Sequence, residues 1–376
     1  MRRFLSIVLA LGLVLSFSLV TAVPVMAFTE VWVDASNPSC PGTGTQSDPF
    51  CTIQDGIDYI FVTLMDDGIV HVAAGTYNEN IDLENGVDVL GAGANVTIID
   101  VTVSGGIAVN IDSVGPTTTI DGFTITGGSD NFGSGIYNND SSPTVSNCII
   151  TGNQAANFGG GMYNLNNSSP VVVNCIFTGN SAGVGGGGIC CWGNGSSTIT
   201  NCTIVGNSAV AFGGGIYVDG SISVPTITNN IIASNTAALG SGVFCNSVML
   251  SIDYNDVYFN DLFNCTSNHD PAADPVFVGG GDYHLQASSN CIDVGNNGAP
   301  YLPATDFDGE PRIYPAGGTV DMGADEYYVA PPPPPSSTVG GTVHPIDKAA
   351  LLLPWLGLGL ALVLAAGGLI LIRRRS

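Results

Sequence analysis

Gly160-Gly161-Met162-Tyr163, Gly187-Gly188-Ile189-Cys190 and Gly214-Gly215-Ile216-Tyr217 are one phrase written three times. Ser134-Gly135-Ile136-Tyr137 before them and Ser241-Gly242-Val243-Phe244 after them extend the series, and its third residues recur every 26 or 27 positions. A second phrase keeps step: Asn147-Cys148-Ile149-Ile150-Thr151-Gly152-Asn153, Asn174-Cys175-Ile176-Phe177-Thr178-Gly179-Asn180 and Asn201-Cys202-Thr203-Ile204-Val205-Gly206-Asn207. Each unit holds short alternating runs broken by Gly and Asn, too short for helices. Identical short strands joined by turns predict stacked coils, each hydrogen-bonded to the next at about 4.8 Å.

Stacking turns equivalent positions into columns. Ile136, Met162, Ile189, Ile216 and Val243 read as an inward aliphatic column. By alternation the next residue points outward, giving Tyr137, Tyr163, Cys190, Tyr217 and Phe244, with Trp192 close by. Such aromatic faces can stack on sugar rings, so Tyr137, Tyr163, Trp192, Tyr217 and Phe244 form the candidate ligand platform, although stacking that stabilises the coils is the simpler explanation. Cys148, Cys175 and Cys202 form an inward column whose parallel side chains suit buried free thiols better than bridges. Asn147, Asn174 and Asn201 fall where the chain turns with φ > 0.

Charge follows the same logic. The 376 residues carry 31 acidic and 7 basic side chains, a formal net charge of −24, which excludes binding to a bare nucleic-acid backbone. No Lys or Arg stands between Phe28 and Asn290, and no charged residue or His between Ser141 and Val218. A charge repeated every ~4.8 Å would cost about 1 kcal/mol per neighbour even in bulk water. The neutral span therefore suits stacking and holds no acid–base chemistry.

The ends read as targeting segments. Arg2 and Arg3 precede an apolar run closing at Val25-Met26-Ala27, the layout of a signal peptide over residues 1–27. Ala349 to Ile372 is uncharged, enough for about 36 Å of helix at ~1.5 Å per residue, and the basic tail 373–376 follows. A Pro-rich stalk over 331–348 separates this transmembrane anchor from the working part, which is placed outside the cell. There disulfides are allowed, and Cys40–Cys51 is the pair expected to bridge. With no CxxC and four scattered histidines, zinc is not indicated.

These residues resemble the right-handed parallel β-helix proteins of the pectate-lyase-like superfamily, in particular prokaryotic surface proteins with Gly-Gly-Ile and Asn-Cys coil repeats. Thr52-Ile53-Gln54-Asp55-Gly56-Ile57-Asp58 is similar to the short helix that caps the open end of such stacks. Thr52 with Asp55 approximates a capping box, and Ile53, Ile57, Ile60 and Leu64 share a face. The phrases Asp274-Pro275-Val276-Phe277, Gly281-Asp282-Tyr283-His284-Leu285, Asp306-Phe307-Asp308-Gly309-Glu310-Pro311-Arg312 and Val320-Asp321-Met322-Gly323-Ala324-Asp325-Glu326 resemble the choice-of-anchor Q region, which ends such β-helices before a surface anchor. The expected architecture is all-β: a parallel β-helix over 28–290, a C-terminal cap over 291–330 and the anchor beyond.

The resemblance raises an enzyme reading, since superfamily members include polysaccharide lyases, hydrolases and esterases. Their signatures are missing. The lyases pair calcium-binding carboxylates with a basic Arg or Lys, the esterases an Arg with aspartates, and the hydrolases use Gly-His-Gly and Arg-x-Lys phrases. The alternative is a polysaccharide-active enzyme, a lyase or a carboxylate-based glycoside hydrolase, drawing on acids such as Asp112, Asp121 and Asp130 and on His71 or His284. Asp306 and Asp308 read as part of a calcium loop or as turn formers, and no other cofactor is indicated. Arg312 reads as a structural clamp on Asp321 or Glu326. The sequence therefore predicts a membrane-anchored surface protein that binds a polysaccharide or another cell-surface ligand without catalysis, with self-association through the neutral coils as a further possibility.

Overall fold

One repeat is one turn of a solenoid. In the computed structural model, which describes residues 29–220, 224–246 and 249–328, Ile136 lies beside Met162, Met162 beside Ile189, Ile189 beside Ile216 and Ile216 beside Val243, all in parallel ladders. Each of the five is fully buried. A completely buried aliphatic side chain contributes roughly 1.5–3 kcal/mol, so this single column is a large share of the core.

Each central turn passes through four sheets. Sheet 1 has ten strands, from Thr29–Val33 to Cys265–Asn268; sheet 2 has eight, from Gly75–Tyr77 to Asp256–Tyr258. Sheet 3 is a flap of four, Ser129–Phe132, Gln154–Phe158, Ser181–Ala182 and Ser208–Ala209; sheet 4 has eight, from Ile81–Leu83 to Leu262–Phe263. The solenoid is right-handed and all-β apart from the helical segment at its N-terminal end. The Gly-Gly phrase exists because coils approach closely there. A Cβ on Gly161 would sit 2.6 Å from Gly188 O, and one on Gly188 2.7 Å from Gly215 O.

Two asparagine series mark the corners flanking sheet 2. Asn147, Asn174, Asn201 and Asn229 turn the chain from sheet 1 with φ of 50–60°. After sheet 2, Asn153, Asn180, Asn207, Asn235 and Asn260 form a ladder. Each Nδ2 of the first four donates to the next Oδ1 at 2.9–3.1 Å and to a carbonyl of the preceding coil, Ile125, Ile150, Phe177 and Ile204 in order. Asn153, Asn180 and Asn207 are buried, and this pairing satisfies their amides.

Helix α1 (Ile53–Asp58) closes the first coil with Ile53, Ile57 and Ile60 fully buried. Thr52 Oγ1 accepts from Asp55 N at 3.2 Å, while Glu79 accepts from Ile53 N and Gln54 N. Leu64 departs from the expected shared face. A π-helical turn over Tyr59–Leu64 changes the period, and Leu64 points to solvent.

Cys40–Cys51 is a disulfide, as is Cys245–Cys265, which the sequence does not single out. Cys148, Cys175 and Cys202 are free, fully buried thiols. The leader, stalk, spanning helix and basic tail read over 1–27, 331–348, 349–372 and 373–376 lie outside the described residues; among the described residues no helix is long and apolar enough to cross a membrane.

Past Asn268 the chain leaves the stack and forms an antiparallel hairpin, Phe277–Gly279 with Asp282–Leu285. An irregular segment then runs to Tyr328 along the corner of sheets 1 and 2. The turn asparagines are its rail: Asn174 Nδ2 donates to Thr305 O at 2.9 Å, Asn201 Nδ2 to Asp321 O at 3.0 Å and Asn229 Nδ2 to Asn296 O at 3.1 Å. Leu285, Cys291 and Met322 pack on Ile231 and Ala233 beneath it.

Candidate functional site

The hairpin and the returning segment overhang sheet 2 and leave a cleft of about 630 Å³. Ile149 and Ile176 line it from sheet 2, with Thr151 and Thr178 beside them; Tyr283, Phe307, Asp308 and Asp325 come from the overhang. Thr178 Oγ1 and the Tyr283 hydroxyl lie 2.6 Å apart and tie the overhang to the wall. The lining thus combines the apolar side chains of Ile149, Ile176, Tyr283 and Phe307 with the hydroxyls of Thr151 and Thr178 and the polar groups of His284, Asp308 and Asp325.

His284 organises the polar cluster. Its Nδ1 bonds Asp282, and its Nε2 lies 2.6 Å from Asp308 Oδ2. Burial disfavours the imidazolium, but the Asp282 hydrogen bond and the charges of Asp325, Asp308 and Asp282 outweigh it and push its pKa up to about 9. Asp325 is pushed up to about 7, chiefly by burial and further by Asp306 and Asp308, against the Leu285 N–H that donates to its Oδ2 at 2.8 Å and the neighbouring His284. One ligand atom each from His284, Asp308 and Asp325 lies within 4.8 Å of the other two.

Asp306 has no part in this group. Its Oδ1 accepts from Asp308 N and Glu310 N and its Oδ2 from Glu326 N, at 2.9–3.0 Å. Three backbone donors engage its carboxylate, so of the two readings of Asp306 and Asp308, calcium loop or turn formers, Asp306 fits the turn, and Asp308 faces His284.

The aromatic platform is corrected. Tyr137, Tyr163, Cys190, Tyr217 and Phe244 do align from coil to coil. They point away from the aliphatic core, yet Tyr163, Tyr217 and Phe244 are only 4–6% exposed and Tyr137 and Trp192 are half-buried. Sheet 3 and its loops bring Phe132, Phe158 and Phe212 over the column, with Phe212 and Phe244 at 4.7 Å and Phe158 and Trp192 at 4.9 Å. The column is a second core rather than a surface, and its burial pushes the Tyr163 and Tyr217 hydroxyls above the ordinary tyrosine range.

Arg312 is fully buried. Its Nη2 donates to Asn174 Oδ1 at 2.5 Å and Ala324 O at 2.6 Å, and its Nη1 lies 4.0 Å from Glu326 Oε2. Asp321 bonds backbone instead, accepting from Asp293 N and Tyr327 N at 2.6 and 2.7 Å. Asp112, Asp121 and Asp130 do not converge. Asp112 bonds Asn139 on sheet 4, Asp121 bonds Ser146 and Asn147 at the corner, and Asp130 lies in the flap. His71 stacks on Trp32 at 5.3 Å on sheet 1, apart from the cleft.

A family profile described as "Right handed beta helix region" matches residues 105–297. Among solved structures, the chain is similar to a pectin methylesterase from Yersinia enterocolitica, at 12% identity over 59% of this chain and 90% of that one, with a TM-score of 0.35. A pectin methylesterase from carrot aligns at 13% over 66% and 85%, TM-score 0.34, and the A-module of the mannuronan C-5 epimerase AlgE4 from Azotobacter vinelandii at 15% over 58% and 87%, TM-score 0.29. No curated protein matches. Since the matched span covers half the chain and contains the coil repeats themselves, this protein belongs to the right-handed β-helix family.

Proposed function

We propose that the chain is a membrane-anchored surface protein that binds a neutral glycan without cleaving it, its C-terminal region being of the choice-of-anchor Q kind. The observation that carries the reading is the cleft on sheet 2: the apolar side chains of Ile149 and Ile176, the Tyr283 and Phe307 rings, and the hydroxyls and carboxylates that line it with them. Sugar rings present apolar faces to aromatic rings and hydroxyls to such acceptors. The carboxylates in its lining favour a neutral chain over an acidic one. The leader and anchor that the sequence suggests support a cleft facing the outside of the cell.

The test is binding of the purified full chain to a panel of neutral and acidic polysaccharides, with release of shortened or unsaturated sugars followed in the same wells. Binding of neutral glycans without product, lost in Thr178→Ala and Tyr283→Ala, supports the reading. A second reading, acid-catalysed cleavage, is favoured by one observation: Asp325, poised near pH 7 beside Asp308, is the kind of proton donor that glycosidic bonds require. Product that disappears in Asp325→Asn selects it.

A further inference from the structure

We infer that the polar cluster of the cleft is a binding site for one divalent transition cation of the zinc class, held by His284, Asp308 and Asp325. The three come from separate segments, the hairpin, the 306–310 turn and the last stretch before Tyr328, so no local turn explains their meeting. Imidazole nitrogen with two carboxylate oxygens is a donor set for zinc-like ions. Calcium prefers six to eight oxygens, and the carboxylate that would extend an oxygen cage, Asp306, is spent on backbone N–H groups.

Two further features fit a cation. Asp282 holds Nδ1 of His284, the outer-carboxylate arrangement that orients a ligating ring and sharpens its other nitrogen as a donor. Independently, Glu310, a half-buried residue, lines the same hollow of about 450 Å³ as His284, Asp308 and Asp325, and its Oε2 atom is shielded from solvent with no hydrogen-bond partner. A buried, unpaired carboxylate oxygen is costly unless a positive charge stands near it. The one Arg in this region, Arg312, is engaged with Asn174 and the Gly323 and Ala324 carbonyls. On binding, the proton between His284 Nε2 and Asp308 leaves to solvent as the metal–nitrogen bond forms, and a position stays open toward the cleft. The site shares Asp308 and Asp325 with the cleft of the glycan reading, and the two are told apart by reading zinc binding and glycan binding separately.

The test is competition of the full chain, freed of metal with EDTA, against a chromophoric chelator for Zn²⁺, with Ca²⁺ as the comparison ion. The expected result is one tight Zn²⁺ per chain, at least tenfold weaker in His284→Gln and Asp325→Asn and 10–100-fold weaker in Asp282→Asn, with no displacement by millimolar Ca²⁺. Melting temperatures in EDTA identify variants that fold; His284 and Asp282 are exposed, so His284→Gln and Asp282→Asn keep the test decisive if Asp325→Asn does not. Diffuse uptake is expected of so acidic a surface. Equal Zn²⁺ affinity in wild type and His284→Gln, or loss of the tight site to millimolar Ca²⁺, overturns the inference. Zinc bound at His284 without any glycan binding supports it and refutes the function proposed above.

Discussion

Asn174 Oδ1 accepts from Arg312 Nη2 at 2.5 Å, joining residues 138 positions apart. A turn residue of the coil thereby receives the one cationic side chain of the cap, and the same guanidinium bonds Ala324 O. Arg312→Met strips buried Asn174 Oδ1, Gly323 O and Ala324 O of a donor and should destabilise the cap by about 1–3 kcal/mol for each group left unpaired. Limited proteolysis checks this: cleavage within 289–328 should accelerate while the coils stay resistant, and unchanged rates would refute the clamp.

Asn180 offers a second measurement. Its amide donates to Ile150 O and Asn207 Oδ1 and accepts from Asn153, all in the dry interior. Asn180→Ala strands several partners at once, with a cost of about 1–3 kcal/mol for each group left unpaired. Asn147→Gly, at a half-buried corner with φ 50°, keeps the turn but gives up its bonds with Asp121 and Asn174, which solvent can replace, and should lose about 1 kcal/mol. Denaturant melts of the two variants should differ by several kcal/mol; equal stability would mean the ladder is not a structural element.

Tyr217→Ala separates the two readings of the aromatic column. With Tyr217 buried against Phe158, Phe212 and Phe244, truncation should cost about 3–5 kcal/mol. Glycan binding by whatever chain remains folded should be unaltered. A variant of wild-type stability that fails to bind would restore the column as a platform.

Asp256 supplies a pH dependence. Burial, assisted by Asp270 and Asp274, pushes its carboxyl up to about 6, although it accepts from Ala273 N and from the Cys291 thiol. Its folded-state pKa lies above the unfolded value near 4, so between pH 4 and 6 the unfolded chain releases this proton first. The contribution of Asp256 to stability falls across that window and is level above it. Asp256→Asn should remove about 2–3 kcal/mol of this decline, at ~1.4 kcal/mol per pKa unit, read as the change in the wild-type-to-variant difference between pH 4 and 7. A difference independent of pH would place the carboxylate in water.

The coil register was legible because the repeat length equals one turn, so Ile136, Met162 and Ile189 had to stack. The roof over the aromatic column left a signal too. Phe132, Phe158 and Phe212 each stand four residues before the aliphatic position of their repeat, beyond the reach of simple alternation. The cleft left less. His284, Asp308 and Asp325 meet through hydrogen bonds such as Arg312 to Asn174 and Thr178 to Tyr283, which carry no periodicity. Four scattered histidines therefore gave no hint of a metal, although each phrase of the group was visible.

Among the described residues, the amides of the corner asparagines Asn174, Asn201 and Asn229 donate to the cap. Corners from Gly91 to Asn147 still line the hollows under residues 305–309, and only the coils on the N-terminal side of Gly91 are left as a spacer of adjustable length. Gaining or losing one whole repeat there would shift the far tip of the molecule by about 4.8 Å and leave the corner rail of the cap in place, whereas a partial repeat would throw every column out of phase. The reach of such a protein can thus vary in discrete steps, one repeat at a time, without redesign of the end that holds the cap.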